Sequence, residues 1–491
     1  MGDYSRLSTF DRCFLDIEDG NTHMHVAGTC VFDATPVATS NGGVDIDRIR
    51  RYVHGRLSSI PRYRQRLAYI PLENHPVWVD DYRFDLRYHV RHLSLPKPGD
   101  DRQLKRALAW VNSQQLDRSR PLWEMWIIEG LEGSRFAVHQ KVHHAMIDGL
   151  AGAEELSVIL DLSPEARVDF PRPWQPRPAP TPVELVRDAA VRRMTTPIAL
   201  GRAVAKTFSQ GLRTGAENIK RTASGIGAVV SSGWKPAADT RLNRPIGSQR
   251  RFDTLATDLA DVKAVKERLG GTINDVVLAT VAGAMRRYML HDGSSSEELG
   301  ELTLRAMCPV NRRSEEGRST VGNKVAGMMV ELPIGESDPR ERYSIVRLAS
   351  ASAKRSNQPD GTEAIGTLSE WTSPHLLRLV EQVAPRHRVY NLIVTNIPGP
   401  PFPLYLLGAR MLETYALVPL FPNQGLAVAL FSYAGTLHWG FNADRELVPD
   451  LHDFVLGVQD SFDELADAAK VVRRQPAAAS PTPVAAVGDA T

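Results

Sequence analysis

The chain has 491 residues, of which 42% are hydrophobic and 24% charged, and its net charge is +2. This length exceeds one ordinary core, so we expect two large domains or one two-lobed unit. The near-neutral charge gives no argument for nucleic-acid binding. The three cysteines, Cys13, Cys30 and Cys308, lack zinc-site spacing and are odd in number, which indicates a reducing compartment rather than a disulfide framework.

The sequence predicts neither a signal peptide nor a membrane-spanning helix. The first residues, MGDYSRLSTF, carry an acidic side chain and lack an apolar core segment. The longest apolar segment, residues 415–435, is interrupted by Pro419, Pro422, Asn423 and Gln424. We therefore expect a cytoplasmic protein that, if it meets lipid, meets it from the surface, whether at the inner membrane face or at lipid droplets.

Composition and periodicity divide the chain into four parts. We predict an N-terminal lobe at residues 1–163, a proline-rich linker and basic helical connector at 164–249, a C-terminal lobe at 250–474, and a disordered tail at 475–491. Both lobes combine alternating and helical hydrophobic periods, which favours a mixed α/β fold. The predicted strands are 135–144, 302–310, 325–333 and 389–396, and the predicted helices are 148–162, 259–270 and 273–290.

The connector is basic and amphipathic. Residues 184–221 contain eight Lys or Arg and three Asp or Glu, and Val204, Phe208, Leu212 and Ile219 share one helical face. Two interpretations follow: a connector packed on the surface of a lobe, or an element that lies on a membrane surface.

The motif HHAMIDG, residues 143–149, is the strongest candidate site. His143 and His144 are neighbours in a predicted strand, so their side chains should point to opposite faces and not share one metal ion. Packing is a second interpretation, because Asp148 and Gly149 form a common turn pair at a predicted helix start. The third interpretation is a general base, since neutral imidazole accepts a proton from an alcohol at cellular pH.

Several further segments accompany this motif in order. They are LSTFDRCFLDIEDGNTHMHVAG (7–28), IPRYRQRL (60–67), LDRSRPLWEMW (116–126), NRPIGSQRRF (243–252), TINDVVLA (272–279), VGNKVAG (321–327) and TNIPGP (395–400). Read as H-H-x-x-x-D-G, the motif resembles that of the CoA-dependent acyltransferase superfamily. The ordered set resembles the bacterial wax ester synthase/diacylglycerol acyltransferase family over most of residues 5–470.

The resemblance implies two lobes similar to chloramphenicol acetyltransferase, with a substrate channel between them. It implies acyl-CoA as the donor, diacylglycerol or a long-chain alcohol as the acceptor, and no metal or other cofactor. His144 would be the proton acceptor and His143 would support it. Asp148 would be structural and pair with an arginine, for which Arg62 and Arg64 are the candidates.

The other motifs have structural interpretations as well. Thr272, Asn274 and Asp275 lie in a capping-box pattern, and Asn396 lies where a strand ends in a turn. Asn396 is also a candidate oxyanion donor, because amides at a strand end can face a cleft. Two alternatives to the lipid acyltransferase are an acyltransferase of the condensation type with carrier-bound donors, and a lipid-binding protein of the same fold without activity.

Overall fold

The computed structural model describes residues 4–146, 159–165, 173–192, 237–311, 325–355 and 389–473. The strands are β1 (Ser5–Arg6), β2 (His25–Asp33), β3 (Gln65–Tyr69), β4 (Pro76–Asp80), β5 (Val90–Ser94), β6 (Trp123–Leu131), β7 (Arg135–His143), β8 (Arg250–Asp258), β9 (Leu304–Asn311), β10 (Val325–Leu332), β11 (Leu392–Pro398), β12 (Tyr405–Leu406), β13 (Ala409–Leu417), β14 (Leu426–Tyr433) and β15 (Thr436–Asp444). The helices are α1 (Thr9–Ile17), α2 (Ile46–Arg56), α3 (Leu86–His89), α4 (Asp101–Asn112), α5 (182–192), α6 (Leu259–Leu269), α7 (Ile273–His291), α8 (Ser296–Glu301), α9 (Pro339–Arg355) and α10 (Leu451–Ala468).

Two mixed six-stranded sheets form the lobes, which confirms the predicted α/β class. The first sheet has the order β12-β13-β2-β7-β6-β5, and the second has the order β10-β9-β11-β14-β15-β8. Strands β12 and β13 come from the C-terminal half of the chain, yet β13 pairs antiparallel with β2, with Thr414 opposite Cys30. The predicted lobe at 250–474 did not include this exchange of strands, which ties the two halves together.

The periodicity-based elements agree closely with the structure. The strands predicted at 302–310, 325–333 and 389–396 correspond to β9, β10 and β11, and two predicted helices correspond to α6 and α7. Helix α7 is buried on nearly every side because it lies in the core between the second sheet and α10. The helix predicted at 148–162 lies outside the described residues except at its last four positions, and the whole of the predicted tail, 475–491, lies outside them.

The described start of the connector packs against a small third sheet, β1-β4-β3. Leu185 and Ala189 of α5 lie in one apolar cluster with Ile70, Val77 and Val79. This agrees with the packed interpretation for residues 184–192, whereas residues 193–221 lie outside the described part of the chain.

The described part of the linker, residues 173–181, contains neither helix nor strand, as its prolines predict. Arg177 fastens it to the small sheet, because its Nε and Nη2 donate to the two oxygens of Asp80 at 3.0 and 2.9 Å. Across the described residues, no helix is both long and apolar enough to cross a bilayer.

Candidate functional site

The histidine pair lies where the central strand β7 ends. β7 stops at His143, one residue earlier than predicted, and His144 begins a 3₁₀ turn that runs to Met146. The backbone N–H of His143 donates to the carbonyl of Leu122 at 2.9 Å, and that of His144 donates to the carbonyl of Met24 at 2.8 Å. Two other segments of the N-terminal lobe therefore fix the backbone of this turn.

The His143 ring is fully buried and its orientation is set on both sides. Its Nδ1 accepts a hydrogen bond from the backbone N–H of Ala145 at 3.0 Å, so the proton of the neutral ring is on Nε2. That Nε2 lies 3.6 Å from Oε2 of Glu18. A buried carboxylate thus faces the N–H of His143 and favours this tautomer, as in other sites where a second group orients a histidine.

Glu18 is held by a backbone N–H and a guanidinium group. Its Oε1 accepts from the backbone N–H of Met24 at 3.2 Å, and its Oε2 accepts from Nε of Arg118 at 2.9 Å. Burial alone would raise the pKa of the Glu18 carboxyl, but His143 and Arg118 beside it outweigh burial and lower the pKa to about 2. The carboxyl is therefore ionised at any cellular pH.

The His144 ring has different surroundings from its neighbour. It stacks on Phe14 of α1 with ring centroids 3.8 Å apart and planes inclined by 22°. Its Nδ1 is buried and has no hydrogen-bond partner among the described residues, and His144 as a whole has intermediate exposure. Burial, reinforced by the nearby His143, lowers the pKa of His144 to about 4, which keeps the imidazole neutral at cellular pH.

The other half of the motif, Asp148 and Gly149, lies outside the described residues, so the pairing of Asp148 with an arginine stays a prediction. The two candidate arginines differ. Arg62 donates to Ser5 and Gln65 and lies over the ring of Trp78. Arg64 is buried beneath Trp174, and its Nη2 has no hydrogen-bond partner within the described part of the chain, which makes Arg64 the better candidate.

The structure brings two other predicted residues together. Nδ2 of Asn396, near the end of β11, donates to Oδ1 of Asn274, the second residue of α7, at 2.8 Å. The capping box is confirmed, because Oδ2 of Asp275 accepts from the backbone N–H of Thr272 at 2.8 Å and the backbone N–H of Asp275 donates to Oγ1 of Thr272. Oδ1 of Asp275 is buried without a hydrogen-bond partner among the described residues.

The tryptophans of the segment 116–126 have a packing role. β6 begins at Trp123, which is fully buried and donates from its indole N–H to the carbonyl of Tyr63 at 2.8 Å. Trp126 is buried beside it in the same strand.

Sequence reasoning missed Glu18 and Arg118 as parts of the site. Glu18 lies in the segment 7–28 and Arg118 in the segment 116–126, two of the segments that accompany the HHAMIDG motif. Their position in these segments was the signal that could have identified them. A cleft of about 650 Å³ opens at Arg118 and is lined by Arg91, Trp110 and Trp126, but by neither histidine. In the described ranges, no three His, Cys, Asp or Glu side chains are grouped as a metal site requires.

Comparisons with known proteins point to one family. The model of the wax ester synthase/diacylglycerol acyltransferase catalytic domain matches residues 7–277, and the model of the C-terminal domain of the same proteins matches residues 321–466. The chain is 34% identical over 471 residues to a Mycobacterium tuberculosis protein named diacylglycerol O-acyltransferase Rv1760, covering 94% of this chain and 89% of that one. It is 33% identical to the diacylglycerol O-acyltransferase tgs1 of the same organism, covering 96% of this chain and 98% of that one.

Solved structures agree. The wax ester synthase/diacylglycerol acyltransferase of Marinobacter aquaeolei superposes with a TM-score of 0.68 at 25% identity, covering 95% of this chain and all of that one. The first condensation domain of the calcium-dependent antibiotic synthetase gives a TM-score of 0.57 at 13% identity, covering 95% and 97% of the two chains. At this identity the second likeness shows a shared fold and nothing about substrates.

Proposed function

Because the chain belongs to the wax ester synthase/diacylglycerol acyltransferase family, we propose that it transfers acyl groups with His144 as its general base. The enzyme moves an acyl group from acyl-CoA to the hydroxyl of diacylglycerol, which makes triacylglycerol. The observation that supports the role of His144 is the state of its ring. The ring is neutral at cellular pH and placed by backbone contacts at the end of a central strand.

The proposed reaction is direct and needs no cofactor. Nε2 of His144 removes the proton from the acceptor hydroxyl as its oxygen attacks the thioester carbonyl carbon. The tetrahedral oxyanion then collapses, the C–S bond breaks, and His144 returns its proton to the CoA thiolate. A positioned base contributes roughly 10²–10⁴-fold, and holding both substrates in line adds to this.

The supporting role of His143 follows from its two contacts. His143 Nδ1 receives the N–H of Ala145, and His143 Nε2–H faces Glu18, so the ring braces the first turn after β7. That turn carries His144. Glu18 and His143 thus act on the base through the backbone, without touching the substrate.

Activity should survive to an unusually low pH. His144 must be neutral to act, so kcat/KM should fall as pH drops through its pKa of about 4, and not near 6.5 where an unperturbed histidine titrates. The measurement is a pH profile of CoA release at low substrate concentration, with circular dichroism at each pH to separate unfolding from protonation. An acid limb near 6.5 with intact circular dichroism would contradict the assignment.

The proposal covers two classes of acceptor. Diacylglycerol and long-chain alcohols both present a primary or secondary hydroxyl on an apolar chain, and the family model covers enzymes that use either. The direct test is CoA release with one acyl-CoA and a panel of diacylglycerols and fatty alcohols. We expect transfer to diacylglycerol and to fatty alcohols, and the assay compares the two rates.

We further propose that the enzyme collects its acceptor at a lipid surface through the connector. The small sheet that packs against α5 exposes apolar side chains, including Leu72 at the tip of the β3–β4 hairpin, which is 99% exposed. Val183 and Val191 of α5 are also exposed, and Arg187 and Arg192 lie beside them. Apolar contact combined with basic residues, which contribute about 1 kcal/mol each near anionic lipid, suits reversible docking.

Replacing Arg192, Arg193, Arg202 and Lys206 by glutamine should weaken flotation with anionic vesicles at low salt. High salt should weaken wild-type flotation in the same way, because salt screens the attraction. Activity on detergent-solubilised acceptor should be unchanged, which serves as the folding control. If the variant and wild type float equally well with anionic vesicles, the lipid-docking proposal is wrong and the connector is a segment packed against the lobes.

A further inference from the structure

The hydrogen bond between Asn396 and Asn274 links two motifs that are far apart in the chain. Nδ2 of Asn396 donates to Oδ1 of Asn274 at 2.8 Å across 122 residues. Both residues are only partly buried. The pair lies where a strand ends and a helix begins, and both residues keep some solvent exposure. A substrate can therefore contact them.

The backbone is fixed on both sides of this pair. The capping box of Thr272 and Asp275 holds the first turn of α7, in which Asn274 is the second residue. In β11, Asn396 pairs with Leu430 of the parallel strand β14. Gly399 ends this strand against β14 so closely that a Cβ there would lie 2.2 Å from the ring of Phe431, so the glycine in TNIPGP is required for packing.

The strand that carries Asn396 also contacts the N-terminal lobe through the next residue. In the parallel register, Asn396 is opposite Leu430, which belongs to the C-terminal core, whereas the next pair, Ile397 and Phe431, faces the other way. Ile397 packs against the core cluster of the N-terminal lobe, which contains Phe431 and also Ala145, the residue after His144.

The polarity of the hydrogen bond determines what Asn274 can offer. Because Oδ1 of Asn274 accepts from Asn396, its Nδ2 is left to donate. The start of the 19-residue helix α7 adds the partial positive charge of free backbone N–H groups, which also favours a negative oxygen. Asn396 donates one of its two Nδ2 hydrogens to Asn274, so the same bond fixes the orientation of both amides.

We propose that Asn396 is a positioning residue that fixes the Asn274 amide so that its Nδ2 donates to the thioester oxyanion. The inference rests on the acyl transfer proposed above. It moves the donor role that the sequence had suggested for Asn396 to Asn274. The oxyanion forms when the acceptor oxygen adds to the thioester carbonyl, and it disappears when the C–S bond breaks, so the amide neither gains nor loses a proton.

The isosteric variant Asn396→Asp tests this polarity. A carboxylate can only accept, so the Asn274 amide must turn its Nδ2 toward position 396 and present Oδ1 to the substrate. We expect kcat to fall on the order of 10²-fold, as for loss of an oxyanion donor, with KM for acyl-CoA and diacylglycerol nearly unchanged. Asn396→Ala frees the amide without reversing it, so its loss should be smaller, on the order of 10-fold.

The order of these two effects distinguishes positioning from packing, because a packing role would make the truncation to alanine worse than the isosteric aspartate. A double-mutant cycle completes the test. In an Asn274→Ala background, neither Asn396→Asp nor Asn396→Ala should reduce kcat further. Asn442→Asp in β15 is the matched control: its Nδ2 donates to the carbonyl of Val418, so it should lower the melting temperature and leave kcat unchanged.

Two results would overturn the proposal. One is an alanine variant as slow as the aspartate variant or slower, and the other is a loss at position 396 that persists in the Asn274→Ala background. If Asn396→Asp does not fold, the alanine cycle alone still decides between coupled and independent effects. None of these variants touches His144, so failure here is separable from failure of the proposed base, which the His144→Ala variant tests.

Discussion

CoA release should be lost, by roughly 10²–10⁴-fold or more, when His144 is replaced by alanine. The variant removes the base, and the neighbouring His143 is not placed to replace it, because its Nδ1 accepts from Ala145 and its Nε2 faces Glu18. The fold should persist, since the backbone hydrogen bonds of His143 and His144 that hold this turn do not depend on the His144 ring, which stacks on Phe14.

Two histidines of the same strand provide controls for this variant. His139 is buried in β7, where its Nδ1 pairs with the hydroxyl of Thr29 at 2.9 Å and its Nε2 lies 3.2 Å from Asn112. His139→Ala should lower the melting temperature and leave much of the turnover of the folded protein. His143→Ala should be milder than His144→Ala and act through stability. Purified His144→Ala with most of the wild-type CoA release would show that the mechanism is wrong.

The outline of the site could be predicted because its parts are local in sequence. A strand of alternating residues ending in two histidines and a capping box at Thr272–Asp275 are each specified within a few residues, and both occur in the structure. Helix α7 was predictable for a similar reason, because its apolar residues occupy nearly every position of a 19-residue segment.

The interactions between distant segments could not be predicted in this way. Glu18 meets Arg118 across 100 residues, and neither periodicity nor spacing indicates which of many acidic residues is buried beside a histidine. The pairing of β12 and β13 with the first sheet could not be predicted either. The hydrophobic pattern of a strand does not tell which of the two sheets it joins. The hydrogen bond between Asn396 and Asn274 joins residues 122 positions apart, and neither local motif indicates that the two side chains meet.

The second large effect is expected from Glu18→Gln, although the substitution changes almost no volume. All the groups around the Glu18 carboxylate are donors: the N–H of Met24 on one oxygen, and Arg118 and His143 on the other. A glutamine has one acceptor oxygen and one NH₂ group, so in either orientation a donor faces a donor. An unpaired buried donor costs about 1–3 kcal/mol, and Arg118 also loses its charged partner.

We therefore expect Glu18→Gln to lower the free energy of unfolding by roughly 2–4 kcal/mol at pH 7 and to reduce kcat through the disturbed turn at His143. The difference in stability between Glu18→Gln and wild type should also decrease as the pH is lowered. The pKa of Glu18 is about 2 when folded against 4.5 ordinarily, so its stabilising contribution is present above pH 4.5 and is lost as pH falls toward 2. Melting temperatures of both proteins should thus converge below pH 4.5.

A surface carboxylate and a second substitution isolate the cause. Asp16, in α1 just before Glu18, pairs with Arg12 and its side chain is 35% exposed, so Asp16→Asn should change the melting temperature little. Adding Arg118→Gln to Glu18→Gln should recover part of the lost stability, because the uncompensated guanidinium is removed along with one unsatisfied donor. A Glu18→Gln protein as stable as wild type at pH 7 would mean that the carboxylate does not hold this turn, and the bracing role given to His143 would fall with it.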